Sequence, residues 1–249
     1  MIQLALISGG AVRIGRSIAL KLAKTGFSVA IQYSNSEAEA QNVVSSIKSA
    51  DGDAACFRAD LENHAEVKGL IPQVNKQMGP VTCLVNNASY FADDRLPDLT
   101  RTSWRKHMDV NLEAPIFLAQ TFAAQLPEAA PGNIVNIVDQ RVLHPNPHFF
   151  SYTLSKGALW FATKTMAQAL APRIRVNAIA PGPALRNAYQ SDEDFEREYR
   201  GMPLGHGTSP DEIAEAVVYI LSAHSMTGQM LALDGGQHLV WQTPGGGAT

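Results

Sequence analysis

Seven short runs of apolar and β-branched residues recur along the chain, at roughly 3–8, 28–33, 53–58, 81–86, 133–138, 174–180 and 230–233. Longer amphipathic stretches separate them, near 14–25, 37–49, 64–77, 103–126, 152–170 and 210–222. Strands alternating with helices build repeated βα units on a parallel sheet. Runs such as Leu4-Ala5-Leu6-Ile7 and Ile134-Val135-Asn136-Ile137-Val138 are apolar almost throughout, as a sheet covered by helices on both faces requires. Ser209-Pro210-Asp211-Glu212 has the chemistry of a helix start: a capping hydroxyl, a proline in the first turn, and two acids at the positive end of the dipole. A length of 249 residues suits one α/β domain or two small ones. No linker-like shift in composition divides the chain, so a single domain over 1–249 is expected.

The charged fraction is 17%, below the ~25% usual for soluble domains, so much of the chain is expected to be buried or subunit-facing. A net charge of −3 with both signs scattered argues against a nucleic-acid or acidic-membrane binder. Cys56 and Cys83 are too few for a disulfide framework, and no His/Cys/Asp/Glu cluster has ligand spacing, so no metal is expected. No apolar run approaches the ~18 residues that cross a bilayer. The opening residues Met1 to Ile7 lack a basic flank and read as a first strand rather than a signal peptide. These features predict a soluble, cytoplasmic protein of a reducing compartment.

Residues 184–209 break the alternation, with two Gly-Pro-rich stretches flanking an acidic patch from Ser191 to Glu198. A loop of that length in a compact domain is functional or mobile. Its place after the sixth strand, at the carboxyl end of the sheet, is where a substrate lid would sit. Asp192-Glu193-Asp194 reads as a solvated face, and the tail Pro244 to Thr249 as loose or held by a neighbouring subunit.

Ser8-Gly9-Gly10-Ala11-Val12-Arg13-Ile14-Gly15 lies between the first strand and the first helix. Glycines there permit a tight turn and let backbone approach a pyrophosphate at the helix N-terminus. The second strand ends in Tyr33-Ser34-Asn35-Ser36, hydroxyl and amide donors with no acid before Glu37. An acid at this point would bind a ribose 2′-hydroxyl and repel a 2′-phosphate. Its absence, with the charge of Arg13 in the glycine turn, favours NADPH over NADH. Ser34-Asn35-Ser36 can also cap the next helix.

With these motifs in place the chain resembles the short-chain dehydrogenase/reductase family over nearly its whole length. The motifs occur in the family order: the 8–15 turn, Asp60-Leu61, Asn86-Asn87-Ala88, Asn111, Tyr152-x-x-x-Lys156, Pro181-Gly182 and Leu233-Asp234-Gly235-Gly236. The resemblance implies a Rossmann-type, doubly wound, seven-stranded parallel sheet in one domain that assembles into homotetramers. It implies that Gly9, Arg13, Ile14 and Gly15 and the 33–36 segment hold the cofactor. Asp60 and Leu61 would meet its adenine end, Asn87 and Ala88 its border, and Pro181 and Gly182 the nicotinamide.

Tyr152 and Lys156 are at i and i+4, on one face of a helix. A nearby ammonium favours the phenolate and lowers a tyrosine from its usual value of about 10, toward use as a proton donor. By the resemblance, Asn111 holds a water that links the lysine to solvent.

Where the family usually has a serine, thirteen residues before the tyrosine, this chain has Asp139. A serine hydroxyl is a neutral donor suited to a ketone. A carboxyl can carry charge, pair with an amidine-like edge, or donate a proton, and a carboxylate beside Tyr152 opposes phenolate formation. The substitution points toward reduction of a C=N bond in a nitrogen heterocycle. Arg13, Ser89, Phe91, Asp139, Tyr152 and Lys156 together resemble the pteridine reductase branch, which reduces pterins and some folates with NADPH. That likeness implies that Phe91 stacks on the substrate, sandwiching it against the nicotinamide, with Ser89 and Arg13 contacting pterin or phosphates. A blander reading pairs Asp139 with Lys156 or Arg141. Tyr90 and Gln140-Arg141 have no place in the pattern.

Trp160 and Phe161 read as core or subunit-facing residues. His144 and His148, which flank Pro145 and Pro147, read as shape rather than chemistry. Two other functions compete: an NADPH-dependent carbonyl reductase of an oxoacyl, sugar or other ketone substrate, and an NADPH-binding sensor without turnover.

Overall fold

A computed structural model describes residues 3–240. Trp241 and the 244–249 tail lie outside the described residues. Seven parallel strands carry the fold: β1 (Leu4–Ile7), β2 (Ser28–Tyr33), β3 (Ala54–Arg58), β4 (Cys83–Asn86), β5 (Gly132–Ile137), β6 (Ile174–Pro181) and β7 (Met230–Leu233). Their order in the sheet is β3-β2-β1-β4-β5-β6-β7, the doubly wound Rossmann arrangement. From β1 the chain winds outward through β2 to β3, then returns to place β4 on the other side of β1. Ile7 pairs with Val85 in the β1–β4 register, so the turns after these strands leave the sheet side by side. The crevice outside the carboxyl ends opens at this reversal.

β1, β2 and β4 are buried at every position, which explains their unbroken apolar runs. On one face α1 (Arg13–Lys24), α2 (Glu37–Lys48) and α8 (Pro210–Ser222) pack a core through Ile18 and Leu22, Val43 and Ile47, and Val217 and Ile220. The opposite face is covered by α3 (His64–Met78) and α5 (Ala114–Gln125) through Leu70, Ile71, Leu118 and Phe122. Each such side chain contributes about 1.5–3 kcal/mol on burial. α6 (Phe150–Leu170) packs on β6 and on α4 (Arg101–Met108). Among the described residues no helix is long and apolar enough to cross a membrane.

Two expectations need correction. The stretch expected as one helix over 103–126 is α4, a π-helical turn at Asp109–Glu113, and α5. A π turn inserts a residue without breaking the run of helix, so apolar spacing does not reveal it. The 184–209 segment is not all loop, because it contains α7 (Asp192–Arg200). Ser191 caps this helix by accepting from the Asp194 N–H, and the three acids expected to be a solvated face form its first turn. Arg197 and Arg200 stand near its end, paired with Asp194 and Glu196. α7 has no fully buried residue, and capping and charge are joined by half-buried Phe195 and Tyr199 and by Glu198, which accepts from Gln190 and Gln237.

Candidate active site

The turn after β1 is held by side chains from its neighbours. Ser8 Oγ accepts from the Asn87 and Ala88 N–H groups at 3.0 Å each. Asn87 Nδ2 donates to the carbonyls of Ser8 and Gly9 at 3.0 and 3.1 Å. Gln32, buried inside β2, accepts from the Gly9 N–H at 2.8 Å and donates to the Ala59 carbonyl at 2.7 Å. A Cβ on Gly15 would fall 2.1 Å from the Gly9 carbonyl oxygen, and Gly9 itself has φ +62°, so the crossing is confined to glycine. No side chain caps α1 and no acid lies in its first turn, which leaves its N–H groups free for an anion. Arg13 adopts φ +53° and donates to the Arg186 and Leu185 carbonyls at 3.0 and 3.2 Å, tying the turn to the 184–209 segment.

A cavity of about 940 Å³ runs from this turn to the start of α6. Gly9, Arg13, Ile14, Gly15, Ser34, Asn35, Asp60, Leu61, Asn87 and Ala88 line its β1–β2 end, and Pro181 and Gly182 its β6 end. Two members of the expected cofactor set do not reach it. Tyr33 is packed in the core, because alternation along β2 turns it away while Ser34 emerges beyond the strand. Ser36 sits at the N-cap position of α2 without a side-chain capping bond and is not on the lining.

At the other end, Tyr152 Oη donates to Asp139 Oδ2 at 2.8 Å. Lys156, 2% exposed, donates to the Ile137 carbonyl at 2.8 Å and lies 5.8 Å from the Tyr152 ring centroid. Burial pushes the Asp139 carboxyl up, against the Arg141 backbone N–H and guanidinium and the more weakly acting Tyr152 and Lys156. Burial, then the Asp139 charge and hydrogen bond, push the Tyr152 phenol well above its ordinary value. Burial lowers Lys156 to about 8, with Asp139 acting in the opposite direction. Tyr152 is therefore raised rather than lowered as expected, by burial first and by the Asp139 charge and hydrogen bond second. Asp139 pairs with Arg141, at 4.0 Å, rather than with Lys156.

Asn111 lies in the π turn, fully buried and off the cavity lining. Its amide donates to the Tyr90 carbonyl at 2.9 Å and to Ser155 Oγ at 3.0 Å, and its Oδ1 accepts from the Tyr90 N–H at 2.7 Å and Ser89 Oγ at 3.3 Å. The Asn111 side chain thus positions Ser89, Tyr90 and Ser155. Phe91 stacks on Phe149, with centroids 4.3 Å apart and 13° between planes, and meets Tyr152 edge-on at 4.7 Å. Phe91 is thus stacked on Phe149 and flanked by Tyr152 and Tyr189.

A family model described as enoyl-(acyl carrier protein) reductase matches residues 10–238. The 3-oxoacyl-[acyl-carrier-protein] reductase FabG of Staphylococcus aureus strain Mu50 is 33% identical over 96% of this chain and 99% of its own length. The chain belongs to the short-chain dehydrogenase/reductase family. Among solved structures, FolM alternative dihydrofolate reductase 1 from Brucella canis, complexed with NADP, is 48% identical, covers 97% of this chain and 96% of its own, and superposes with a TM-score of 0.92. The corresponding protein from Brucella suis, also with NADP, is 49% identical over 97% of each chain, with a TM-score of 0.95.

Several residues of this short-chain dehydrogenase/reductase site escaped sequence reasoning. Gln32 could have been found, since a glutamine within an otherwise apolar strand must have buried partners. Phe149 holds φ +52°, and the Asp93 carboxylate accepts its N–H at 3.0 Å. Asp94 accepts from the Ser151 N–H at 2.8 Å and Ser103 Oγ at 2.7 Å, beside the fully buried His107, whose ring packs on Tyr90 at 4.7 Å. Tyr189, from the expected lid, joins Phe91 and Phe149 at 6.3 and 6.0 Å. Asp234, 3% exposed, accepts from the Gly236 and His238 N–H groups, which gives the Leu233–Gly236 motif a structural role. His144 and His148 are exposed and off the lining. Trp160 is half-buried against a core cluster, whereas Phe161 is 68% exposed rather than core.

Proposed function

We propose that the protein is an NADPH-dependent reductase of a dihydropterin-type ring, dihydrofolate included. The observation that carries this reading is the Asp139 carboxyl hydrogen-bonded to Tyr152, where a ketone reductase of the family would place a neutral hydroxyl. The 48–49% identity to NADP-bound alternative dihydrofolate reductases supports it.

The residues present fit the cofactor. The α1 N-terminus is uncapped, Gly9 and Gly15 carry no side chain at the crossing, and Ser34 and Asn35 stand at the cavity where an acid would repel a 2′-phosphate. NADPH, when bound, supplies a hydride. Tyr152 supplies the proton: the C=N π bond of the ring is replaced by one C–H and one N–H bond. Held as a phenol by burial and Asp139, Tyr152 is loaded at neutral pH. Asp139 accepts the phenol O–H at 2.8 Å and so orients the proton that Tyr152 delivers. Lys156, charged below about pH 8 and held by the Ile137 carbonyl, offsets negative charge developing on the phenol oxygen. Asn111 acts as a positioning residue through Ser89 and Tyr90.

A carbonyl reductase of oxoacyl substrates is the competing reading, supported by the FabG relatives. Replacing Tyr152 by Phe tests the proton assignment shared by both: turnover is lost while NADPH binding persists, and undiminished turnover overturns it. Exposed Leu154 and Phe161 on α6 are read as subunit-facing in a homotetramer, which light scattering in solution tests.

A further inference from the structure

Two consecutive side chains on the cavity lining carry buried polar atoms with no partner among the described residues: Gln140 Oε1 and Arg141 Nη1. Gln140 is 6% exposed. The Arg141 guanidinium lies 5.0 Å from the Phe149 ring centroid, with its Nε 4.0 Å from Asp139 Oδ1. Asp139 also fixes their backbone, accepting the Arg141 N–H at 2.9 Å to cap the helical turn at Gln140–Val142. A buried donor or acceptor left unmatched costs about 1–3 kcal/mol. Both residues line the cavity that holds the acid–base pair, as does Gln237, whose Oε1 is likewise unmatched, so a small side-chain shift toward a ligand in the cavity would give these atoms partners.

We propose that Gln140 and Arg141 bind the reducible ring itself, Arg141 donating to a ring carbonyl oxygen and Gln140 accepting from a ring N–H. This rests on the dihydropterin reading. The pyrimidinone half of a pterin offers a carbonyl and N–H groups, whereas a ketone offers an oxygen and no N–H at its reacting carbon. Arginine can only donate, so it demands an acceptor. The Phe149 face and the Asp139 carboxyl orient the guanidinium before the ligand binds. The pair would favour rings with an amide-type edge over carbonyl substrates of similar size.

The test compares wild type, Arg141→Met, Arg141→Lys and Gln140→Met, using 7,8-dihydrobiopterin, which has an uncharged tail, and dihydrofolate, which has an anionic one. KM and kcat are measured at saturating NADPH, and NADPH affinity by fluorescence. Arg141→Met is expected to raise KM for both substrates about tenfold or more, and Gln140→Met by a smaller factor, with NADPH affinity within about twofold of wild type. Should Arg141→Met not fold, Arg141→Lys keeps the charge but loses the planar fork, and KM rises for both substrates. KM unchanged in both variants overturns the proposal. A rise confined to dihydrofolate also overturns it, by placing the guanidinium on the carboxylate tail. A wild type that reduces a ketone but neither pterin refutes the functional reading itself, visibly before any variant is made, and the proposal falls with it.

Discussion

Asp139 accepts hydrogen bonds through both carboxyl oxygens, from Tyr152 Oη at 2.8 Å and from the Arg141 N–H at 2.9 Å. The carboxyl therefore faces the phenol and cannot turn outward without breaking both bonds. Replacing Asp139 by Ser, the residue usual in the family, removes the carboxyl that orients the proton donor and should lower pterin turnover by roughly 10²-fold, the lower end of the range for acid–base catalysis. Ketone reduction by the same variant should persist or improve. Steady-state rates on both substrate types check this, and unimpaired pterin turnover would remove Asp139 from the chemistry.

The same linkage makes activity sensitive to alkali. Lys156 loses its charge as pH rises through about 8, so kcat/KM should fall across that pH. The fold responds in the opposite sense. Between about 8 and the ordinary lysine value near 10.5 the unfolded chain binds the additional proton, so this group makes the fold more stable as pH rises through that window. Lys156→Met should abolish the stability slope from this source, measured by urea denaturation across pH 7–10.5 without cofactor.

Phe91 lines the cavity, stacked on Phe149 and edge-on to Tyr152, and on the proposed function it is the ring that meets the substrate. Phe91→Ala should raise KM for a dihydropterin about tenfold, since aromatic stacking adds roughly 0.5–1.5 kcal/mol to the burial term, while NADPH affinity stays close to wild type. Calorimetric titration of each ligand distinguishes this from equal losses, which would assign the ring a structural role alone.

The parallel strands were legible because residues buried from both sides leave continuous apolar runs, as in β1 and β2. The Gly9–Gly15 crossing and the Tyr152/Lys156 spacing were legible because each is local. α7 was not, since seven of its nine residues are charged and only Phe195 and Tyr199 turn an apolar side chain inward, too few to set a visible apolar period. The aromatic wall was hidden for a different reason. Phe91 meets Phe149 only because Asp93 and Asp94 accept N–H groups at the start of α6, an approach across more than fifty residues of chain. The inward turn of Tyr33 was not legible, because a run of donors at the end of a strand does not reveal which one the pleat turns into the core.

Asn111 offers a test of positioning. Asn111→Ala strands the Tyr90 N–H and carbonyl, which should cost about 2–3 kcal/mol and lower Tm by roughly 5–10 °C. Cofactor-free thermal denaturation measures it. An unchanged Tm would show that these bonds are replaced at no cost.

The most direct measurement is NADPH oxidation by the wild-type protein, at matched concentrations, with 7,8-dihydrobiopterin, dihydrofolate and a panel of 3-oxoacyl and other ketones, with NADH as control. A carboxyl-backed phenol acting on a C=N bond predicts turnover of the dihydropterins with NADPH and little with the ketones. Efficient reduction of the ketones and none of the dihydropterins would contradict it.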